Sequence, residues 1–299
     1  MDVLVVGAGV AGLACARELS AGGAGVRVVE RGRVVGGRLA SRRFDGRYAD
    51  LGAAYFVADD PAFQELAGQW QQRGLARPWT DTFRVVPGEP ASGPMRWAAP
   101  GGLRSLAEDL AQGLDISLRT ELTSLPPGTT TVLAMPGPQA VRLGLPAALD
   151  RAARAQTWEP VIAVVLTYGE RGWPDFHGAF VNDHPVLATV CDDGDRRGDG
   201  APVLVAHTTP AFARQHLDDP QRAAPAVAEA VGTLFGLTEA PRTHAHRWTF
   251  AQPRPQDGQF VQEGGIFLAG DVFGKPRVQT AWQSGRAVAR AILGQSTER

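Results

Sequence analysis

Lysine is nearly absent from this chain: of its 30 basic residues only Lys275 is lysine, and arginine supplies the rest. Beside abundant Ala, Gly and Pro, that bias reflects genome composition rather than a basic binding face. It also excludes a lysine side chain from any chemistry carried before Gly274. Cysteine is scarce too. Cys15 and Cys191 form no C-x-x-C pair, which excludes a disulfide framework and points to a cytoplasmic setting. No run of about 18 apolar residues occurs, so no membrane span is expected. No basic segment with an apolar core and cleavage site opens the chain, so no secretory signal is expected. A formal net charge of −1 leaves no global field to attract nucleic acid or an anionic membrane. Metal-ligand spacing is missing as well. His244 and His246 alternate onto one strand face without a further Cys, His or carboxylate set. Residues 191–200 look superficially like a calcium loop. Arg197 stands at loop position five, where a ligand should be, and Leu204 at the bidentate-acid position, so a solvated turn is expected there.

What is present begins at once. Gly7-Ala8-Gly9-Val10-Ala11-Gly12 follows the apolar run Val3-Leu4-Val5-Val6. An amphipathic stretch reaches Leu19, and a second apolar run, 26–29, ends in Glu30. Strand, glycine turn, helix, strand and acid in that order bind a dinucleotide. Gly7 permits the tight turn, Gly9 lets a pyrophosphate approach the backbone, and Gly12 lets the helix pack closely. The helix N-terminus offers unpaired N–H groups and a positive dipole end to the phosphates. Glu30 lies about twenty residues beyond the glycines, where an acid accepts ribose hydroxyls and disfavours a 2′-phosphate. These residues alone do not separate NAD from FAD.

The 299 residues suffice for two domains or one large one. Asp60 and Pro61 start a helix expected over 61–73, and the Pro- and Gly-rich stretch 87–94 reads as an exposed loop. A helix over 103–114 and strands over 116–122 and 131–136 follow. From Ala155 onward the texture is strand-rich, at 161–168, 186–191, 203–208 and 243–250. One helix over 220–235, capped by Asp219, interrupts it. An apolar strand at 266–270 and a long helix over 278–293 close the chain. The expected fold class is α/β: a discontinuous Rossmann-like dinucleotide-binding domain (residues 1–58, 95–155 and 251–299) with an inserted β-rich substrate domain (59–94 and 156–250). Sites then tend to lie at the seam.

Further motifs narrow the ligand. Gly36-Gly37-Arg38 can bring backbone and a guanidinium to a pyrophosphate. Asp50-Leu51-Gly52-Ala53 follows. Gly270-Asp271 ends the late apolar strand, where an acid can bind ribityl hydroxyls. The helix start after it can stabilise a reduced flavin. With Glu30, this set resembles the flavin-containing amine oxidase superfamily. Within it the chain most resembles the renalase-like branch. The details are Gly36 to Ser41 running into Asp50 to Phe56, Pro100-Gly101-Gly102-Leu103, Leu133-Ala134-Met135-Pro136, His246-Arg247-Trp248, and the stretch from Arg277 to Gly285. The resemblance implies a two-domain flavoprotein of the glutathione-reductase and hydroxybenzoate-hydroxylase type.

The resemblance also implies bound FAD and assigns residues to it. Glu30, with Arg31 beside it, would hold the adenosine ribose. Val10, Ala11, Gly37, Arg38 and the Ala53-Ala54 backbone would meet the pyrophosphate and the ribityl–flavin part. Leu122 would touch adenine; Gly270, Asp271, Thr280, Ala281 and Trp282 would hold ribityl and pyrimidine. Tyr55 and Trp248 are the candidate substrate-facing aromatics, or core aromatics. No cysteine follows Cys191, so a C-terminal cysteinyl-flavin link is excluded and FAD is expected to be non-covalent. The lysine that many amine oxidases bridge to flavin N5 is also absent. Lys275 and Arg277 are loop charges or a positive charge beside reduced flavin. The implied reaction is hydride transfer to FAD from a small-molecule substrate, with molecular oxygen as acceptor. In the renalase-like branch that substrate is a misreduced dihydro-nicotinamide dinucleotide, which needs no strong base because loss of hydride makes it aromatic. The alternatives are a flavin amine oxidase or desaturase, a flavin-binding module without turnover, and a plain NAD-binding protein.

Overall fold

The apolar run at residues 3–6 becomes the strand Asp2–Val6, and the glycine turn opens into the helix Val10–Ala21. A computed structural model describes residues 2–44 and 46–297. The chain divides into two units: residues 1–39, 106–158 and 253–299, and residues 40–105 and 159–252.

The first unit is built on a six-stranded sheet in the order Val261–Glu263, Ile266–Leu268, Thr130–Leu133, Asp2–Val6, Gly25–Glu30, Asp115–Leu118. Neighbours pair in parallel except Val261–Glu263 and Ile266–Leu268, which are antiparallel. Parallel strands are covered on both faces and so read as continuous apolar runs; Val5, Val28, Val132 and Leu133 are fully buried. Strands from distant parts of the chain thus share one Rossmann-like α/β sheet. The helix Val278–Thr297 packs against Val10–Ala21. Arg286 on the former pairs with Glu18 on the latter at 2.7 Å.

The second unit carries an eight-stranded sheet in the order Arg242–Pro253, Trp158–Thr167, Val203–Thr208, Leu187–Asp192, Gly178–Val181, Arg77–Val86, Ala91–Ala98, Phe56–Val57. Period-two alternation sorts its side chains. Ile162, Val164, Leu166, Val190, Leu204 and Ala206 pack with Val227 and Val231 of the helix Ala224–Phe235. Ala163, Val165, Val203 and Val205 cluster instead with Ala49 and Leu51. A two-stranded ribbon, Ser41–Phe44 with Arg47–Asp50, belongs to this unit.

Several expectations are corrected. Residues 40–58 and 95–105 cluster with the second unit, where Arg197 donates to Asp50 and Ala49 and Leu51 pack with Ala163, Val165, Val203 and Val205. The expected loop at 87–94 gives way at Ala91 to a strand paired with Arg77–Val86. The strand at Asp115–Leu118 stops short of Leu122. Asp219 caps a 3₁₀ turn, Pro220–Ala223, which precedes the α-helix. The expected solvated turn after Cys191 is a short helix, Asp193–Arg197, whose Asp193, Arg196 and Arg197 are buried. Asp60 caps Pro61–Gln72 as expected, accepting from the Phe63 N–H at 3.0 Å. Among the described residues no helix is long and apolar enough to cross a membrane.

Candidate functional site

In the first unit the separated motifs close on one turn. Gly7 has φ +105°, and a Cβ there would lie 2.6 Å from the Ala134 carbonyl oxygen. A Cβ on Gly12 would lie 1.9 Å from the Gly7 oxygen. Both glycines are therefore demanded by the protein's own backbone. Gly9 is different: a Cβ there meets nothing within 4 Å. It is the helix N-cap and supplies no side-chain cap, so no capping side chain satisfies the opening N–H groups or screens the positive dipole end. Glu30 accepts from the Ala8 N–H at 2.9 Å and from the Gly32 N–H at 2.6 Å. A carboxylate offers about four lone-pair positions, so capacity remains for hydroxyl donors.

The second motif docks onto the first. The Gly36 N–H donates to the Ala8 carbonyl at 2.8 Å, and a Cβ on Gly37 would sit 3.5 Å from Gly9 Cα. The late motif joins through Arg38, whose Nη1 and Nη2 donate to Asp271 Oδ2 and Oδ1 at 2.7 and 2.5 Å. Its guanidinium also lies 5.1 Å from the Trp158 ring centroid. Sequence reasoning aimed Arg38 at a phosphate; the fold gives two of its five donors to Asp271. The Gly270 N–H donates to Ser284 Oγ at 2.9 Å, and Ser284 donates to the Gln259 carbonyl at 2.6 Å. Ser284 was not anticipated, although it stands just before Gly285. Thr280 Oγ1 donates to the Lys275 carbonyl at 2.6 Å, which ties the loop to the helix start. Ala281 is half-buried, and the Trp282 ring lies 4.4 Å beneath the Arg286 guanidinium. Leu122 is half-buried against the apolar cluster that includes Val6, Val29 and Leu133, whereas Arg31 is exposed.

In the second unit Asp50 anchors the segment that continues to Ala53, Ala54 and Tyr55. It accepts from Ser41 Oγ, from the Leu103 N–H at 3.1 Å and from Arg197 at 3.2 Å. Arg196 donates to the Ala54 carbonyl at 2.9 Å and pairs with Asp193. Asp193 also pairs with Arg47 at 2.5 Å and Arg197 at 3.2 Å. Burial alone would raise the Asp193 carboxyl, but Arg196, Arg197 and Arg47 outweigh it and hold it below the usual carboxylate range. Burial pushes the neighbouring Cys191 thiol up to about 11. Tyr55 packs edge-on to Phe83 at 5.4 Å, beside Trp79. Trp248 Nε1 donates to the Leu51 carbonyl at 2.8 Å, and its ring meets His246 at 4.5 Å. His244 lies 3.1 Å from Arg42. Among the described residues no group of His, Cys, Asp or Glu could hold a metal. Asp193, Arg196 and Arg197 were missed because an acid- and glycine-rich string reads as surface; Asp50 and Ser41, nine residues apart, carried no ion-pair signal.

Residues 82–293 match the family model of flavin containing amine oxidoreductases. Residues 5–70 match an NAD(P)-binding Rossmann-like domain. A putrescine oxidase from Kocuria rosea is 47% identical over 68 residues, which is 23% of this chain and 14% of that protein. A 4,4′-diapophytoene desaturase from Staphylococcus haemolyticus is 34% identical over 88 residues, 28% of this chain and 18% of that protein. The aligned stretch is thus less than a fifth of the length of these curated relatives. The cyclohexylamine oxidase structure from Brevibacterium oxydans superposes with a TM-score of 0.78 at 15% identity, over 100% of this chain and 99% of that one, a likeness of fold.

Proposed function

From the premise that this chain belongs to the flavin containing amine oxidoreductase family, we propose that it is an FAD-dependent oxidase that takes a hydride from a small reduced substrate and delivers the electrons to oxygen. The observation that carries this reading is the meeting of three motifs on one turn: Gly37 against Gly9, and Arg38 against Asp271. FAD supplies the hydride acceptor, N5, and the route for electrons to oxygen. The cradle fits that cofactor, because Gly9 leaves open space beside an uncapped helix start. Val10 and Ala11 donate backbone N–H groups to the pyrophosphate, and Arg38 adds charge-assisted donors. Glu30 accepts from the adenosine ribose, with Arg31 and Leu122 on the adenosine side. Asp271 accepts ribityl hydroxyls, and Thr280, Ala281 and Trp282 present the start of the last helix to the pyrimidine edge. Gly12 and Gly270 shape the two turns. Ala53 and Ala54 offer backbone to the flavin, and Tyr55 and Trp248 face the substrate.

The substrate we favour is the renalase-like one, a misreduced dihydro-nicotinamide dinucleotide. Its oxidation needs orientation rather than a base. A second reading, oxidation of an amine or desaturation of an apolar chain, is favoured by the local identity to a putrescine oxidase and a desaturase. Anaerobic flavin reduction separates them. Dihydro-nicotinamide isomers should bleach the flavin; bleaching by amines or polyenes alone would favour the second reading. A flavin that no donor bleaches would favour a binding module, and a colourless protein unable to take up FAD would sink both.

Arg38→Ala removes the phosphate donors and leaves the Asp271 carboxylate without its bidentate partner. Flavin content of the purified variant, read as the visible-to-280 nm absorbance ratio, should fall severalfold. Full occupancy would count against Arg38 at the pyrophosphate.

A further inference from the structure

Arg96 is a buried cation with no carboxylate partner among the described residues of its unit. It stands on the strand Ala91–Ala98 and is 6% exposed. Its Nη1 donates to the Asp81 carbonyl at 2.7 Å, and its Nε is sealed from solvent without a partner. The other buried arginines of this unit, Arg196 and Arg197, are matched by Asp193 and Asp50. Among the described residues no carboxylate pairs with Arg96. Aromatic rings surround it instead: the guanidinium carbon lies 4.2 Å from the Phe83 centroid, 5.3 Å from Tyr55 and 5.8 Å from Phe180. Aromatic faces offset part of the desolvation of a cation, yet they carry no net charge. An anionic ligand would complete the charge balance.

We infer that Arg96 is a substrate-binding residue that selects an electron donor bearing an anionic group, carboxylate or phosphate, and disfavours an ammonium group. This rests on the reading of Tyr55 as a substrate-facing aromatic, because Arg96 is held against the Tyr55 ring. Two physical effects act in the same direction. A guanidinium with spare donors binds a carboxylate or phosphate through charge-assisted hydrogen bonds. The same buried charge repels a second cation, and the aromatic faces that would attract an ammonium are already occupied by the protein's own. A dinucleotide donor, with its phosphates, meets this requirement; a diamine does not.

The test uses ligands of one shape and opposite charge on the purified holoenzyme: benzoate and benzylamine, followed by calorimetric titration and by perturbation of the flavin spectrum. Benzoate should bind wild type at least tenfold more tightly than benzylamine. Arg96→Met should lose at least tenfold in benzoate affinity and reverse the preference, while Arg96→Lys should retain part of it. Comparable or tighter binding of benzylamine to wild type, no benzoate binding, or unchanged benzoate affinity in Arg96→Met would overturn the inference. The wild-type comparison decides even if Arg96→Met does not fold. Failure of the oxidase reading shows separately, as a flavin that no donor bleaches, and the calorimetric binding does not depend on turnover.

Discussion

Gly9→Ala is expected to yield a folded but nearly colourless protein, and Gly12→Ala a protein damaged in both fold and flavin content. The two positions differ in what a methyl group meets. At Gly9 the backbone is extended, φ −80° and ψ 179°, so alanine adopts it without strain. Its Cβ meets no protein atom within 4 Å, so stability measured by urea unfolding should change by less than about 1 kcal/mol. The methyl instead fills the space that a pyrophosphate needs in order to reach the Val10 and Ala11 N–H groups, and FAD occupancy should fall at least tenfold. At Gly12 the Cβ would lie 1.9 Å from the Gly7 oxygen and 3.1 Å from Ala134 Cβ. Both helix and turn must move, at a cost of about 1–3 kcal/mol or more. Gly285→Ala is a companion to Gly12→Ala, because its Cβ would lie 2.0 Å from the Ala11 oxygen. A Gly9→Ala protein carrying full FAD would remove the pyrophosphate from this turn.

What could be read from the chain follows the range over which its physics acts. The first βαβ passage was legible because strand, turn, helix and acid lie within thirty residues. The late Gly270-Asp271 was legible as a motif. That its carboxylate would face Arg38, 233 residues away in sequence, was not. Nor was the second unit's reach into residues 40–58. Ser41 and Asp50 were legible as motif positions, but only folding brings Arg197 and the Leu103 N–H onto Asp50. The string Asp192 to Asp199 misled for a definite reason. Charge density normally marks solvent, but here acids and arginines alternate closely enough to neutralise one another in the interior. Arg96 was silent because no local partner or spacing distinguishes an arginine that will be buried among rings.

That buried network sets the last expectation. Asp193→Asn should destabilise the protein by about 3–5 kcal/mol at pH 7, since removing one member of a buried set leaves the others uncompensated. Asp193 is fully buried, and it neutralises Arg196 and Arg197 inside the unit and Arg47 at its edge. Asparagine keeps the shape and an acceptor but not the charge. Asp199→Asn is the control: Asp199 is 43% exposed and pairs with Arg47 at 2.7 Å, so its loss should cost less than about 1 kcal/mol. The pH dependence carries a sign. The three arginines hold the Asp193 carboxyl below its ordinary value despite burial. Its stabilisation is therefore complete above the unfolded carboxylate range, near pH 4, and is lost as pH falls through the lower folded value. Wild type and Asp193→Asn should differ most at neutral pH and converge in strong acid, as read from urea unfolding at several pH values. A variant within about 1 kcal/mol of wild type at pH 7 would mean that the arginines find other partners. The same loss has a local consequence, because Arg196 also holds the Ala54 carbonyl. With Asp193 neutral, Arg196 is freed to move, and amide exchange through residues 51–55 should rise ahead of global unfolding.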